Sequence, residues 1–228
     1  MAEKTSHAAT ALKGPGELLS ESVAFFKKKY RELLLVMLIP TIFSFLLSMS
    51  ESSGSLAHAA SRPSFLLIFL DILVTILAAI ALLYTLPDST QPLDAYKKAL
   101  NKFFPYLGVS LLALLAFIGG SILLIVPGII FGMWFIFSGY VLIFENKGVL
   151  ASLSQSKEYV SGRWFAVFGR AAVLFCVVIG ISLVGVFVSA LFAIVHIPIL
   201  PLLINAVVSL FVRPFSAVYF YLLYKDIK

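Results

Sequence analysis

Apolar positions run through this chain in long uninterrupted blocks, not in the alternation or narrow stripes of a water-soluble domain. A helix rises about 1.5 Å per residue and needs about 20 apolar residues to cross about 30 Å of hydrocarbon. Six segments meet or approach that length: 33–49, 64–86, 107–126, 128–144, 171–195 and 201–223. Two boundaries rest on local chemistry. From Tyr106 to Phe144 there are 39 residues without a charge, about 58 Å of helix and too long for one span. Pro127-Gly128 stands near the midpoint, and a residue without a donor followed by one that tolerates positive φ predicts a tight turn between antiparallel helices. HIPILP at 196–201 divides 171–223 in the same way and leaves His196 in a loop.

Each pair of spans follows an amphipathic segment. Leu19, Val23, Phe26, Tyr30 and Leu33 recur at helical spacing before the first span, opposite Glu17, Ser20, Glu21, Lys27, Lys28 and Arg31. Leu93, Tyr96, Leu100, Phe103 and Phe104 do so before the third, and Val149, Leu150, Leu153 and Val160 before the fifth. Ser161-Gly162 reads as a helix stop with glycine in a left-handed cap. The junctions KKKYRELL, NKFFPYLG and SGRWFAVFGR place Tyr30, Phe104 and Trp164 at intervals of 74 and 60 residues, a loose repeat of three modules. The fold class predicted is all-α: a polytopic six-transmembrane helical bundle with short amphipathic interfacial helices. Residues 1–16 form a tail and 17–228 a single membrane domain.

Composition narrows the class further. The chain is 61% hydrophobic and 12% charged, against about 25% charged in soluble domains, which excludes a soluble globule and a disordered chain alike. The net charge of +6 acquires meaning from its placement. Fifteen of the seventeen basic residues fall before span one, between spans two and three, between spans four and five, or after span six. Arg62 alone lies on the other side, and Arg213 lies within a span. By the positive-inside rule both termini are cytoplasmic and the number of spans is even. Such charges attract anionic lipid headgroups and do not read as a nucleic-acid footprint. The opening MAEKTSHAATALK lacks the apolar core of a cleavable signal, so the first span is expected to direct insertion. The lone Cys176 cannot form an internal disulfide and sits among apolar residues, as a buried small side chain does. His7, His58 and His196 form no metal pattern, and no phosphate-binding or nucleophile motif is present, so no cofactor and no enzymatic activity are expected.

Across residues 122–162 the chain carries Pro127-Gly128-Ile129, Glu145, Gly148, Ala151, Leu153, Ser156, Tyr159-Val160 and Gly162, and it closes with LLYKDIK containing Tyr224 and Asp226. In these features it resembles the multi-span membrane domain attached to some bacterial glycerophosphodiester phosphodiesterases, and that domain's stand-alone relatives. The resemblance implies a six-span module of the bacterial cytoplasmic membrane. It does not imply hydrolysis, which in that family belongs to a separate soluble barrel of about 250 residues.

Candidate sites are few. Asp71 and Arg213 are ionisable groups inside spans, with Asn205 on the same side of the last span as Arg213, and such groups pair or function. About 10 Å of helix for Asp71 and about 18 Å for Arg213 separate them from the outer face. Outward reach of the arginine brings the two within pairing distance. Glu145 stands where span four ends and is expected to cap the next helix. Lys97, Lys98, Lys157, Arg163 and Trp164 mark a cytoplasmic rim that anchors topology or contacts lipid, a protein partner or a second copy. Gly119, Gly120, Gly128 and Gly132 predict close helix packing. The function expected is a membrane scaffold or partner module connected with envelope or lipid homeostasis, with a small transporter or lipid translocator as the alternative.

Overall fold

Backbone amides and carbonyls cannot stay unpaired in hydrocarbon, so apolar blocks of this length take up helix. The computed structural model describes residues 12–52, 65–88, 90–194 and 199–228. Expectations placed on His7, His58, Arg62 and His196 lie outside the described residues. The helices are α1 (Pro15–Ser52), α2 (Phe65–Thr85), α3 (Pro92–Leu123), α4 (Ile125–Phe135), α5 (Ser138–Phe144), α6 (Val149–Ser161), α7 (Trp164–Ile194) and α8 (Ile199–Ile227). No strand occurs among the described residues. With α4 and α5 taken as one interrupted span, six helices are long and apolar enough to cross a membrane. The chain is an all-α, multi-pass bundle.

Helices α7, α8, α1, α2, α3 and α4 pack successively, while α6 lies against α4 and α5. The amide of Lys13 donates to the Asp226 carboxylate at 2.9 Å. Arg170 donates to the carbonyls of Leu12 and Lys13, each at 2.8 Å. The start of the described chain at residues 12–13 and the end of α8 therefore meet at one end of the bundle, as an even number of crossings requires. Most of the fully buried side chains lie toward this end: Leu33 and Val36, Ile80 and Ala81, Phe137 and Val141, Val218 and Leu223. Farther away, α7 and α8 leave large apolar side chains such as Leu183, Val184, Phe187, Val207 and Phe211 uncovered by protein. Acyl tails are as apolar as leucine, so this splayed half needs no protein cover.

The predicted interfacial segments merge with the spans. Helix α1 runs unbroken from Pro15 to Ser52 and turns Leu18, Ser22, Leu33, Val36 and Met37 inward, leaving Val23 and Tyr30 exposed. In α3 the inward residues are Ala95 and Ala99, with Leu93, Leu100 and Phe104 outward. Only α6 is a separate helix, and its inward face is Ser152, Leu153, Ser156 and Val160, with Leu150 exposed. At Ala95 and Ala99 of α3 and Ser152 and Ser156 of α6, small inward residues allow close approach of neighbouring helices, whereas bulky apolar residues can face lipid. Gly162 ends α6 in right-handed geometry, φ −74°, not the left-handed cap. Cys176 faces outward instead of into the core.

The break between α3 and α4 falls at Leu124, a single extended residue, three positions before Pro127-Gly128. Pro127 sits in the first turn of α4, where its missing donor is harmless. Gly128 serves the crossing and not a turn, since among the described residues no glycine has positive φ. A Cβ on Gly128 would lie 2.9 Å from the Cα of Ser121, and one on Gly120 would lie 2.6 Å from the Phe131 ring and 3.0 Å from the Cα of Gly128. Gly119 has nothing within 4 Å. Gly128→Ala and Gly120→Ala should each destabilise the protein by about 1–3 kcal/mol, while Gly119→Ala should be neutral or slightly stabilising. Thermal unfolding in one detergent checks the contrast.

Candidate functional site

Helix α5 ends at Phe144, and the chain turns back within four residues to begin α6. Asn146 takes φ 52° in this turn, a left-handed conformation that asparagine tolerates better than most side chains. Its side-chain oxygen accepts a hydrogen bond from Lys102 of α3. Glu145, at the mouth of the turn, does not cap α6. Its Oε1 accepts the hydroxyl of Tyr159 from α6 at 2.8 Å and that of Tyr224 from α8 at 2.6 Å. Lys147 Nζ lies 3.1 Å from Oε2 and Lys228 Nζ 3.3 Å from Oε1, with the carboxylate side chain only 10% exposed. Burial opposes its charge, but donation from Tyr224, Tyr159, Lys147 and Lys228 outweighs burial and brings its pKa down to about 2. Tyr159, half-buried and with its proton held by the carboxylate, is pushed up to about 12. Rings of Phe137, Tyr140 and Phe144 pack within 6.1 Å of Tyr224 and complete the cage.

A second polar arrangement lies beneath the first. Between α4 and α5 the helix is interrupted, which strands backbone groups where water is scarce. Ser156 of α6 repairs this: its hydroxyl donates to the Trp134 carbonyl at 2.6 Å and accepts the Phe137 amide at 3.2 Å. Pro40 likewise deprives the Val36 carbonyl of its helical donor, and Tyr96 of α3 supplies one at 2.7 Å. Lys29 donates to the carbonyls of Thr85, Leu86 and Pro87 at 3.1–3.3 Å, where the end of α2 favours a cation.

Arg213 is itself exposed and lines an open cavity of about 310 Å³ shared with Thr75, Tyr106, Tyr140, Met37 and Leu82. The expected Asp71–Arg213 pair does not form. Asp71 instead accepts the Ser44 hydroxyl at 2.7 Å, which ties α1 to α2. Among the described residues Arg213 has neither an ion-pair nor a hydrogen-bond partner. It faces α2 at Thr75 and beyond, at least about 6 Å of helix from Asp71. Asn205 is exposed and outside the cavity.

The basic rim residues lie on two separate elements. Lys97 makes an exposed pair with Asp94 at 3.5 Å, and Lys98 is exposed. Lys157 sits 4.5 Å above the Trp134 ring, a cation–π contact. Trp164 stacks on Phe168 at 5.0 Å, and its indole N–H is buried without a partner. Arg163 is half-buried beside it. Among the described residues no cluster of three or more His, Cys, Asp or Glu could hold a metal. The sequence marks Tyr96 only as part of an apolar stripe and marks none of Arg170, Tyr140 and Tyr106 as a candidate site. The polar ends of the three tyrosines are masked, in a linear reading, by their aromatic bodies.

Because folding lowers the pKa of Glu145 from 4.5 to about 2, its contribution is full above the unfolded value and drains away as pH falls through the interval between them. Glu145→Gln removes it at every pH. The difference in unfolding temperature between the native protein and this variant should be largest at neutral pH and narrow steadily below about pH 4.5. A constant difference from pH 7 to pH 3 would refute the charged cage.

No family model, no curated protein and no solved structure matches the chain.

Proposed function

We propose that this chain is a non-enzymatic module of a bacterial cytoplasmic membrane, with both termini in the cytoplasm. Its basic end serves as a platform for a protein partner in envelope or lipid homeostasis. The observation that supports this is the Glu145 cage. It binds the end of α5, helix α6 and the end of α8 to one carboxylate, so a surface made of separate segments is held rigid. Rigid presentation of a patch lowers the ordering entropy that docking would otherwise require. Lys97 and Lys98 remain uncommitted to this cage and exposed. Leu93, Leu100 and Phe104 beside them stay uncovered at 60–78% exposure, in the manner of residues seated among headgroups and acyl chains. The segregation of fifteen cations supports the orientation. Kinship with the membrane domain of glycerophosphodiester phosphodiesterases belongs to the same proposal, and Glu145, Tyr159 and Tyr224, which carry that resemblance, meet in the cage.

A second reading, passage of a lipid or small anion, draws on the cavity at Arg213. Two measurements separate the readings. Lys97→Gln with Lys98→Gln should abolish crosslinking of a partner through a photoreactive residue at position 100, with stability changed by less than about 0.5 kcal/mol. Undiminished crosslinking would refute the platform. Flux in reconstituted vesicles that Arg213→Gln removes would instead establish passage. Reporters fused at the two termini should both be cytoplasmic, and opposite placement would overturn the orientation.

A further inference from the structure

Arg213 lies at the midpoint of α8, fourteen residues from Ile199 and fourteen from Ile227. About 21 Å of helix separates it from either end, farther than an arginine side chain reaches by extending toward a surface. An ionised group at such a position needs a counter-charge or a polar cavity. Asp71, the other ionisable residue of the spans that could balance it, is engaged by Ser44. Among the described residues no other carboxylate pairs with it. The polar groups that share its cavity are hydroxyls, Thr75, Tyr106 and Tyr140, and of these only Tyr140 has a partner, the Ala217 carbonyl at 3.3 Å. Hydroxyls can donate to an oxyanion but supply no negative charge of their own. The remaining walls, such as Met37 and Leu82, are apolar. A cavity of 310 Å³ with mostly apolar walls and a few hydroxyl-bearing residues in its lining is at the lower end of ligand-site volumes, about 300–1,000 Å³.

The geometry points to an oxyanion site in the open cavity that the exposed Arg213 lines. The Arg213 guanidinium takes two oxygens of a phosphate, and the unpartnered hydroxyls of Tyr106 and Thr75 complete its donor set. A phosphate is favoured by the fork geometry of arginine, which meets paired oxygens bidentately. The phosphate comes either from a phospholipid headgroup or as the free ion. This site is separate from the platform on the basic surface, although Tyr140 borders both the cavity and the Glu145 cage. Binding without flux would keep the site while removing the passage reading.

The test follows unfolding temperature of the purified full chain in a neutral detergent at constant ionic strength. The additions are phosphatidylglycerol, diacylglycerol with the same tails, and sodium phosphate. Phosphatidylglycerol should stabilise the native protein where diacylglycerol does not, and Arg213→Gln should raise its apparent Kd about tenfold or more. Stabilisation by sodium phosphate that is equally dependent on Arg213 supports the site with the free ion as its source. Tyr106→Phe should weaken the same response by a smaller factor, and it serves in place of Arg213→Gln if that variant does not fold. The proposal is overturned if neither phosphate source shifts the native protein, or if the variants respond as the native protein does.

Discussion

One carboxylate organises the basic end of this molecule. Glu145 stands where span four gives way to the turn before α6, and it is reached by hydroxyls from α6 and α8 and by two lysines. Burying a carboxylate is costly unless it is hydrogen-bonded and paired, and here the donors exceed what burial takes away. The arrangement is cooperative in a structural sense. Tyr224 can reach Glu145 only if the last turns of α8 lie against α5, and Tyr159 only if α6 folds back beneath the turn. The short left-handed step at Asn146 permits that fold-back.

The same economy of polar groups recurs deeper in the bundle. At Pro40 and at the break before α5, where a backbone donor is lost, a side chain from a neighbouring helix replaces it: Tyr96 for Val36, and Ser156 at the break. These bonds specify which helix lies beside which, because dispersion between apolar surfaces in lipid discriminates poorly. Arg213 stands apart from this pattern. It faces a cavity with hydroxyls and no balancing acid among the described residues, which is why it carries the phosphate inference.

Glycine makes a different contribution. At Gly120 and Gly128 the backbones of α3 and α4 approach within the distance at which a single methyl group would collide. A one-residue connection at Leu124 can then join two antiparallel helices. Proline near the junction suggested a turn at Pro127, but a helix accepts proline in its first turn, so the dipeptide begins α4 and does not precede it.

Much of the architecture was legible in the residue pattern: apolar length sets the number of crossings, and the gathering of cations predicts that both ends share a side. These are one-dimensional properties, because transfer into lipid is nearly additive along a segment. Which face of each helix turns inward was not legible. Leu33 is buried and Leu35 exposed although their side chains are identical, and the choice depends on shape between helices distant in sequence. Nor could spacing distinguish Asp71 paired with Arg213 from Asp71 bound to Ser44, since the tilt and rotation of three helices decide it. Glu145, Ser156, Tyr159 and Tyr224 stood out in the sequence as separate positions. Only the tertiary structure could join them, because a hydrogen bond needs two groups within about 3 Å, a condition that separation along the chain does not contain.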